Sequence, residues 1–163
     1  MNTGADRILA NFLPSDIITP DDADYDAACA LYNGMIDKKP RYILRCKTQA
    51  DVQAAIEFAR SNDRLLAIRG GGHNGPGLGS CDDGVVVDLS PMKSIEVDPA
   101  RNIVRVGAGC TQGEVDKVTS EYGLAVPVGI VSSTGIAGLT LDGGHGYLTR
   151  KYGLTVPQSV PEI

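Results

Sequence analysis

Cysteine is sparse in this sequence and poorly spaced for chemistry. Cys29, Cys46, Cys81 and Cys110 stand 17, 35 and 29 positions apart with no C-x-x-C pair, which signals neither a zinc site nor a redox dithiol. Basic runs are missing as well. The 15 Lys and Arg are outnumbered by 20 Asp and Glu, a net charge of −5, so nucleic-acid phosphates and anionic membranes would be repelled rather than attracted. No stretch approaches membrane-spanning length, and no apolar h-region follows the opening Met-Asn-Thr-Gly-Ala-Asp-Arg. No unit repeats at a fixed period. These absences predict a soluble cytoplasmic protein with free thiols, no metal ion, no nucleic-acid partner and no membrane.

What remains is an ordinary globular composition, 42% hydrophobic and 21% charged, enough for a domain with a sizeable core. The 20 glycines and 9 prolines are unevenly placed. They gather between positions 70 and 84 and again between 129 and 153, marking two specialised loops.

Residues 1–20, punctuated by Pro14 and Pro20, read as a loose leader with a short helical turn around Ile8 to Phe12. Asp21 to Asn33 reads as a helix with Ala27, Ala28, Leu31 and Tyr32 on one side. Arg41 to Cys46 alternates as a strand that buries Tyr42, Leu44 and Cys46. A helix follows, with Thr48 and Asp51 as a capping box worth about 1 kcal/mol and Val52, Ala55, Ile56 and Ala59 as its buried stripe. Leu65 to Arg69 is a strand running into the first glycine loop, and Val85 to Leu89 is a strand leaving it. Ile95 to Val97 and Ile103 to Val106 form a hairpin. Thr111 and Glu114 open a second capped helix that turns Val115, Val118 and Tyr122 inward and stops at Gly123.

The first glycine segment is Arg69-Gly70-Gly71-Gly72-His73-Asn74-Gly75. Its Gly70-x-Gly72-x-x-Gly75 spacing matches the dinucleotide fingerprint, and Asp88 ends a later strand. That fingerprint requires a helix beginning inside the motif. Seven glycines and Pro76 lie between positions 70 and 84, and a glycine in a helix interior costs about 1 kcal/mol and a proline about 3, so no helix fits and the Rossmann reading is rejected. Glycine reaches φ > 0 and leaves no Cβ in the way, so the segment suits a nest of backbone N–H groups around an anion such as a pyrophosphate. A tight irregular turn is the plainer alternative. His73 inside such a nest suits a ligand, a base or a nucleophile.

Seven blocks in order resemble the FAD-linked oxidases of the vanillyl-alcohol oxidase or p-cresol methylhydroxylase (PCMH) type, within them the berberine-bridge-enzyme-like branch. The first three are Tyr25-Asp26 to Pro40, Thr48-x-x-Asp51-Val52 and Arg69 to Asn74. Val87-Asp88-Leu89-Ser90, Gly107-Ala108-Gly109, Thr134 to Thr140 and Arg150 to Leu154 complete the set, and the likeness spans about positions 24 to 154. The resemblance implies an α+β fold, a PCMH-type FAD-binding domain of two α+β subdomains with an extended FAD between them and the second subdomain incomplete. It divides the chain into a leader and helix at 1–35 and the FAD-binding domain at 36–163. Arg69, Gly70, Gly71, Gly72, His73, Asn74 and Gly75 would hold the pyrophosphate, with His73 the covalent attachment point on the flavin 8α-methyl carbon. Ser132, Ser133, Thr134, Gly135 and Gly138 would supply contacts from the second loop, which spans Gly129 to Gly146.

Departures from the family pattern carry their own implications. Bicovalent relatives have a cysteine where this chain has Val131, so only the histidyl link is available. Asp142 stands where relatives have glycine, which would weaken FAD binding, and His145 reads as a solvated or packing residue. After Leu154 the pattern gives way to Thr155-Val156-Pro157-Gln158-Ser159-Val160-Pro161-Glu162-Ile163, which reads as a truncation. The substrate pocket and catalytic base would lie in the missing part, so no catalytic residue is named. The expected activity is removal of hydride from a small organic substrate, a sugar, alcohol or alkaloid, with electrons passed to oxygen. Two alternatives stand beside it: a non-catalytic remnant that binds FAD weakly or not at all, and a module holding some other nucleotide.

Overall fold

β-branched side chains favour extended, half-crowded backbone, and the run Val85-Val86-Val87 forms the centre of the main sheet in the computed structural model, which describes residues 12–155. The chain divides into two units, Met1–Pro91 and Met92–Ile163.

The first unit begins with a 3-10 turn at Pro14–Asp16 and the short strand β1 (Ile17–Ile18). Helix α1 (Tyr25–Cys29) precedes β2 (Tyr42–Arg45), α2 (Gln49–Ser61), β3 (Leu66–Arg69) and β4 (Val85–Asp88). The strands lie in the order β1-β2-β4-β3, with β1 antiparallel to β2 and the other pairs parallel. Alternate residues of the central strands feed two cores. Leu44, Val85 and Val87 pack with Ala55, Phe58 and Ala59 of α2, while Ile43, Val86 and Ala67 pack with Tyr25 and Cys29 of α1. Each fully buried Val, Leu or Ile contributes about 1.5–3 kcal/mol.

Several expectations are corrected here. Residues 8–11 of the proposed helical turn lie outside the described residues, but the rest of the leader is not loose: Ile17 and Ile18 pair with Leu44 and Ile43. Ile43, expected on an open face, is fully buried because α1 covers that side of the sheet. The helix expected over 21–33 is only five residues long. Its intended first turn is taken by Asp22, whose carboxylate accepts from Thr19 N and Oγ1, both at 2.8 Å, a local bond that competes with helix. Ala27 and Tyr32 are exposed, and the anchor is Tyr25, whose hydroxyl donates to Pro40 O at 2.7 Å. In α2 the capping box forms as read, with Thr48 Oγ1 accepting from Asp51 N and Asp51 from Thr48 N. Phe58, set edge-on to Tyr42 with ring centroids 5.1 Å apart, takes the core position expected of Ile56.

The second unit contains the hairpin β5 (Ile95–Asp98) and β6 (Ile103–Val106), then α3 (Gln112–Ser120), α4 (Ile136–Asp142) and α5 (Thr149–Tyr152). The hairpin is antiparallel as expected, with Ile95 opposite Val106. Glu114 accepts from Thr111 N at 2.7 Å and thereby caps α3. Cys110, Val115, Val128 and Ile136 make the core. Tyr122, expected inward, is half exposed because α3 ends at Ser120. The second glycine segment is not a continuous loop. Ile136 and Leu139 pack on that core and draw residues 136–142 into α4, despite the cost of about 1 kcal/mol for Gly138 inside a helix.

Candidate functional site

Parallel strands present their carboxyl ends together, and open α/β sheets bind ligands there. Here the register aligns Arg45 of β2 and Arg69 of β3 with Asp88 of β4, one row at one end of the sheet. Beyond that row the chain enters Gly70-Gly71-Gly72. An open cleft of ≈ 240 Å³ lies there, its walls formed by Arg45, Arg69, Asp88 and Ser90, the three glycines, and Ala27, Ala28 and Ala30 around the end of α1. Glycine and alanine leave the backbone approachable.

Arg69, expected to touch the cofactor, lines the cleft but spends its guanidinium on protein groups. Its Nη1 donates to Ala28 O at 2.7 Å, and Nη2 donates to Asp88 Oδ2 at 3.3 Å. Asp88 Oδ1 in turn accepts from Ser90 N at 3.0 Å. This buried pair is electrically neutral. Arg45 is exposed and has no ion-pair partner among the described residues, so it supplies the positive charge of the cleft.

No helix follows Gly70: residues 70–84 form turns and bends, as the rejection of a Rossmann motif requires. The loop is strapped from outside. Tyr32 N donates to Gly72 O at 3.2 Å, Asn33 Nδ2 to Gly75 O at 2.9 Å, and Lys38 Nζ to Gly77 O and Ser80 O at 2.8 and 3.1 Å. Gly72 has φ +70° and Gly77 φ +74°, a region that glycine enters without strain. His73 is half-buried, its ring stacked on Tyr32 with centroids 3.9 Å apart and planes 18° apart. Burial pushes its pKa below the ordinary 6.5, favouring a neutral imidazole. Asn74 and Gly75 stand further along: Asn74 Oδ1 accepts from Leu78 N at 2.9 Å and shapes the next turn.

The remaining expected contacts belong to the second unit. Ser132 and Ser133 are exposed, Gly135 precedes α4, and Gly138 lies on the helix's exposed face. The carbonyls of Ser132 and Thr134 accept from Gly113 N and Gln112 N, each at 2.9 Å. Beneath them Gln112 is fully buried, and its side-chain amide has no hydrogen-bond partner among the described residues. Asp142 is exposed at the end of α4, and His145 is exposed, as a solvated residue would be. All four cysteines are free, and no cluster of metal-ligating side chains occurs among the described residues. No helix among them is long and apolar enough to cross a membrane.

Reading the sequence alone missed Arg45, Tyr32 and the alanines of α1. Strand register, which a single sequence does not display, brings the first to the site; Tyr32 reaches it through the path of the chain after Cys29, and the alanines through the placement of the end of α1 beside the glycines.

Residues 40–160 match the profile of the FAD binding domain. The chain belongs to that family. It is 37% identical over 142 residues to (R)-6-hydroxynicotine oxidase of Paenarthrobacter nicotinovorans, covering 87% of this chain and 31% of that protein. Berberine bridge enzyme-like 2 of Arabidopsis thaliana is 35% identical over 78% of this chain and 24% of its own length. The crystal structure of 6-hydroxy-D-nicotine oxidase from Arthrobacter nicotinovorans superposes with a TM-score of 0.84 at 38% identity, over 85% of this chain and 31% of that one. The chain therefore spans about a third, or less, of the length of these relatives.

The expected α+β PCMH-type fold and the FAD cofactor both stand. The cleft in the first unit fits part of that cofactor. A pyrophosphate needs close backbone approach and a cationic rim, and Gly70 to Gly72 with Arg45 offer both.

Proposed function

We infer that this chain is the FAD-holding part of a flavin-dependent oxidoreductase that takes hydride from a small organic substrate and passes the electrons to dioxygen. The observation that carries the reading is the glycine-walled cleft at the carboxyl ends of β2, β3 and β4, with His73 in the same loop. Bound FAD supplies the two-electron chemistry. The protein's part is to orient it. Gly70, Gly71 and Gly72 approach the pyrophosphate through backbone, Arg45 balances its charge, and Arg69 fixes the cleft wall through Ala28 and Asp88. His73 is the covalent attachment point, and Ser132, Ser133, Thr134, Gly135 and Gly138 are contacts from the second unit. Substrates resembling the hydroxylated nicotine of one relative, or sugars and alcohols, fall within this class. A cytoplasmic location belongs to the same reading, supported by four cysteines without disulfides.

The test is direct. Purified chain is incubated with FAD, precipitated with acid and separated into pellet and supernatant. Flavin absorbance in the pellet, absent from His73→Ala, is the expected result; all of the colour in the supernatant overturns the attachment, and no change in the unfolding midpoint with FAD overturns binding. ATP or NAD stabilising the fold more than FAD does would favour a different nucleotide.

A second reading is a chain that holds FAD weakly or not at all and has no turnover. It is supported by the exposed carboxylate of Asp142 in the second glycine segment. Weak FAD stabilisation that improves in Asp142→Gly would support it.

A further inference from the structure

We propose that Tyr32 is a positioning residue for His73, holding the imidazole in the plane from which it attacks the flavin; the proposal rests on the reading of His73 as the attachment point. Tyr32 is 66% exposed, so core packing does not account for its placement. Its ring instead lies face-on against the imidazole, 3.9 Å between centroids and 18° from parallel.

The backbone fixes this stack on both sides. Tyr32 N bonds Gly72 O just before His73, and the neighbouring Asn33 side chain bonds Gly75 O two residues after it. Asn33 is itself held, since its Oδ1 accepts from Met35 N at 3.1 Å. Upstream, Arg69 Nη1 on Ala28 O ties the end of α1 to the end of β3. Residues 28–33 and 69–75 are therefore joined at three hydrogen-bonded points with the stacked rings among them.

A stacked ring suits nucleophilic attack for a geometric reason. The reactive lone pair of a neutral imidazole lies in the ring plane, so a partner on its face restricts rotation without covering the lone pair. In the linking step a His73 ring nitrogen forms a C–N bond with the flavin 8α-methyl carbon, and one methyl C–H bond breaks. The methyl proton and the imidazole N–H proton finish on the flavin, which is reduced by two electrons. Dioxygen then removes those two electrons and two protons as hydrogen peroxide, leaving oxidised, linked flavin.

The experiment compares the full chain with Tyr32→Ala, Tyr32→Phe and His73→Ala. Each is incubated with FAD in air over a range of concentrations, and acid-stable flavin fluorescence on a denaturing gel is followed with time. Tyr32→Phe keeps the stack and should link at the wild-type saturated rate. Tyr32→Ala should link about three- to tenfold more slowly, the range an aromatic pair supports, with its FAD dissociation constant unchanged. Wild-type linkage with Tyr32→Ala equally fast, or with Tyr32→Phe as slow as Tyr32→Ala, overturns the proposal. Wild type that links no more flavin than His73→Ala overturns the attachment reading instead. A second measurement is independent of linkage: in the FAD-free chain the His73 ring proton resonances should shift in Tyr32→Ala and stay near wild type in Tyr32→Phe. Unchanged resonances in Tyr32→Ala overturn the positioning role by themselves.

Discussion

Arg69 and Asp88 close adjacent parallel strands in the same register, and their side chains meet at 3.3 Å with 8% and 7% of their surfaces exposed. A pair this dry is costly to break on one side, since the survivor keeps a buried charge without a partner. Arg69→Ala is expected to lower stability by about 3–5 kcal/mol, measured by urea unfolding of the FAD-free chain. Arg69→Met combined with Asp88→Leu should recover most of that loss, because it removes both charges and keeps volume. A double variant no more stable than Arg69→Ala would show that the bond to Ala28 O, rather than the ion pair, is what matters.

The turn after Gly70 to Gly72 gives a second prediction. Gly77 has φ +74°, and a Cβ there would come within 2.7 Å of Ile36 Cγ2. Gly77→Ala therefore carries two costs: about 1–2 kcal/mol for the left-handed backbone and a steric overlap. Adding Ile36→Ala should relieve the overlap and leave the backbone cost, so the double variant should lose less relative to Ile36→Ala than Gly77→Ala loses relative to wild type. Equal losses in the two backgrounds would remove Ile36 from the explanation.

How much of this was readable in advance follows from the range of each interaction. Thr48 and Asp51 are three residues apart, so their capping box is local and appears in the sequence as it does in the structure. The absence of a helix after Gly70 is equally local, a matter of glycine and proline content. Ile43 is different: its burial depends on α1 and on the register of β2 beside β4, neither of which alternation reveals. Tyr32 fits a helical stripe in the sequence, yet its partner is His73, far along the chain and across a turn. Arg45 reaches the cleft only because β2 stops level with β4. Helix α4 was hidden by the glycines that flank and interrupt it.

Cys46 gives a prediction for alkaline pH. It is fully buried, and burial first, then the carboxylates of Asp51, Asp88 and Asp16, push its thiol pKa from 9.0 to about 12. The unfolded chain loses this proton near 9 while the folded chain keeps it, so the folded state binds more protons in the window between. Stability should be unaffected by this group below pH 9 and should fall as pH rises from 9 toward 12. The urea midpoint measured across that window should drop less steeply in Cys46→Ala than in wild type, and parallel slopes would assign the alkaline sensitivity to other groups.

His73 titrates on the opposite side of neutrality. Burial holds its imidazole pKa below 6.5, so the neutral, nucleophilic form persists to lower pH than it would in an exposed histidine. As pH falls below 6.5 the unfolded chain takes up this proton before the folded chain does, which favours unfolding. The group's contribution to stability is therefore present above 6.5 and is lost on acidification through the folded pKa. The rate of covalent flavin linkage should follow the neutral fraction, rising with pH to a plateau and reaching half of it below pH 6.5. Tyr32→Ala exposes the ring to water, so its midpoint should move up toward 6.5 as its plateau falls. A linkage rate that is half-maximal at 6.5 in wild type and variant alike would mean that the stacked ring does not shield His73.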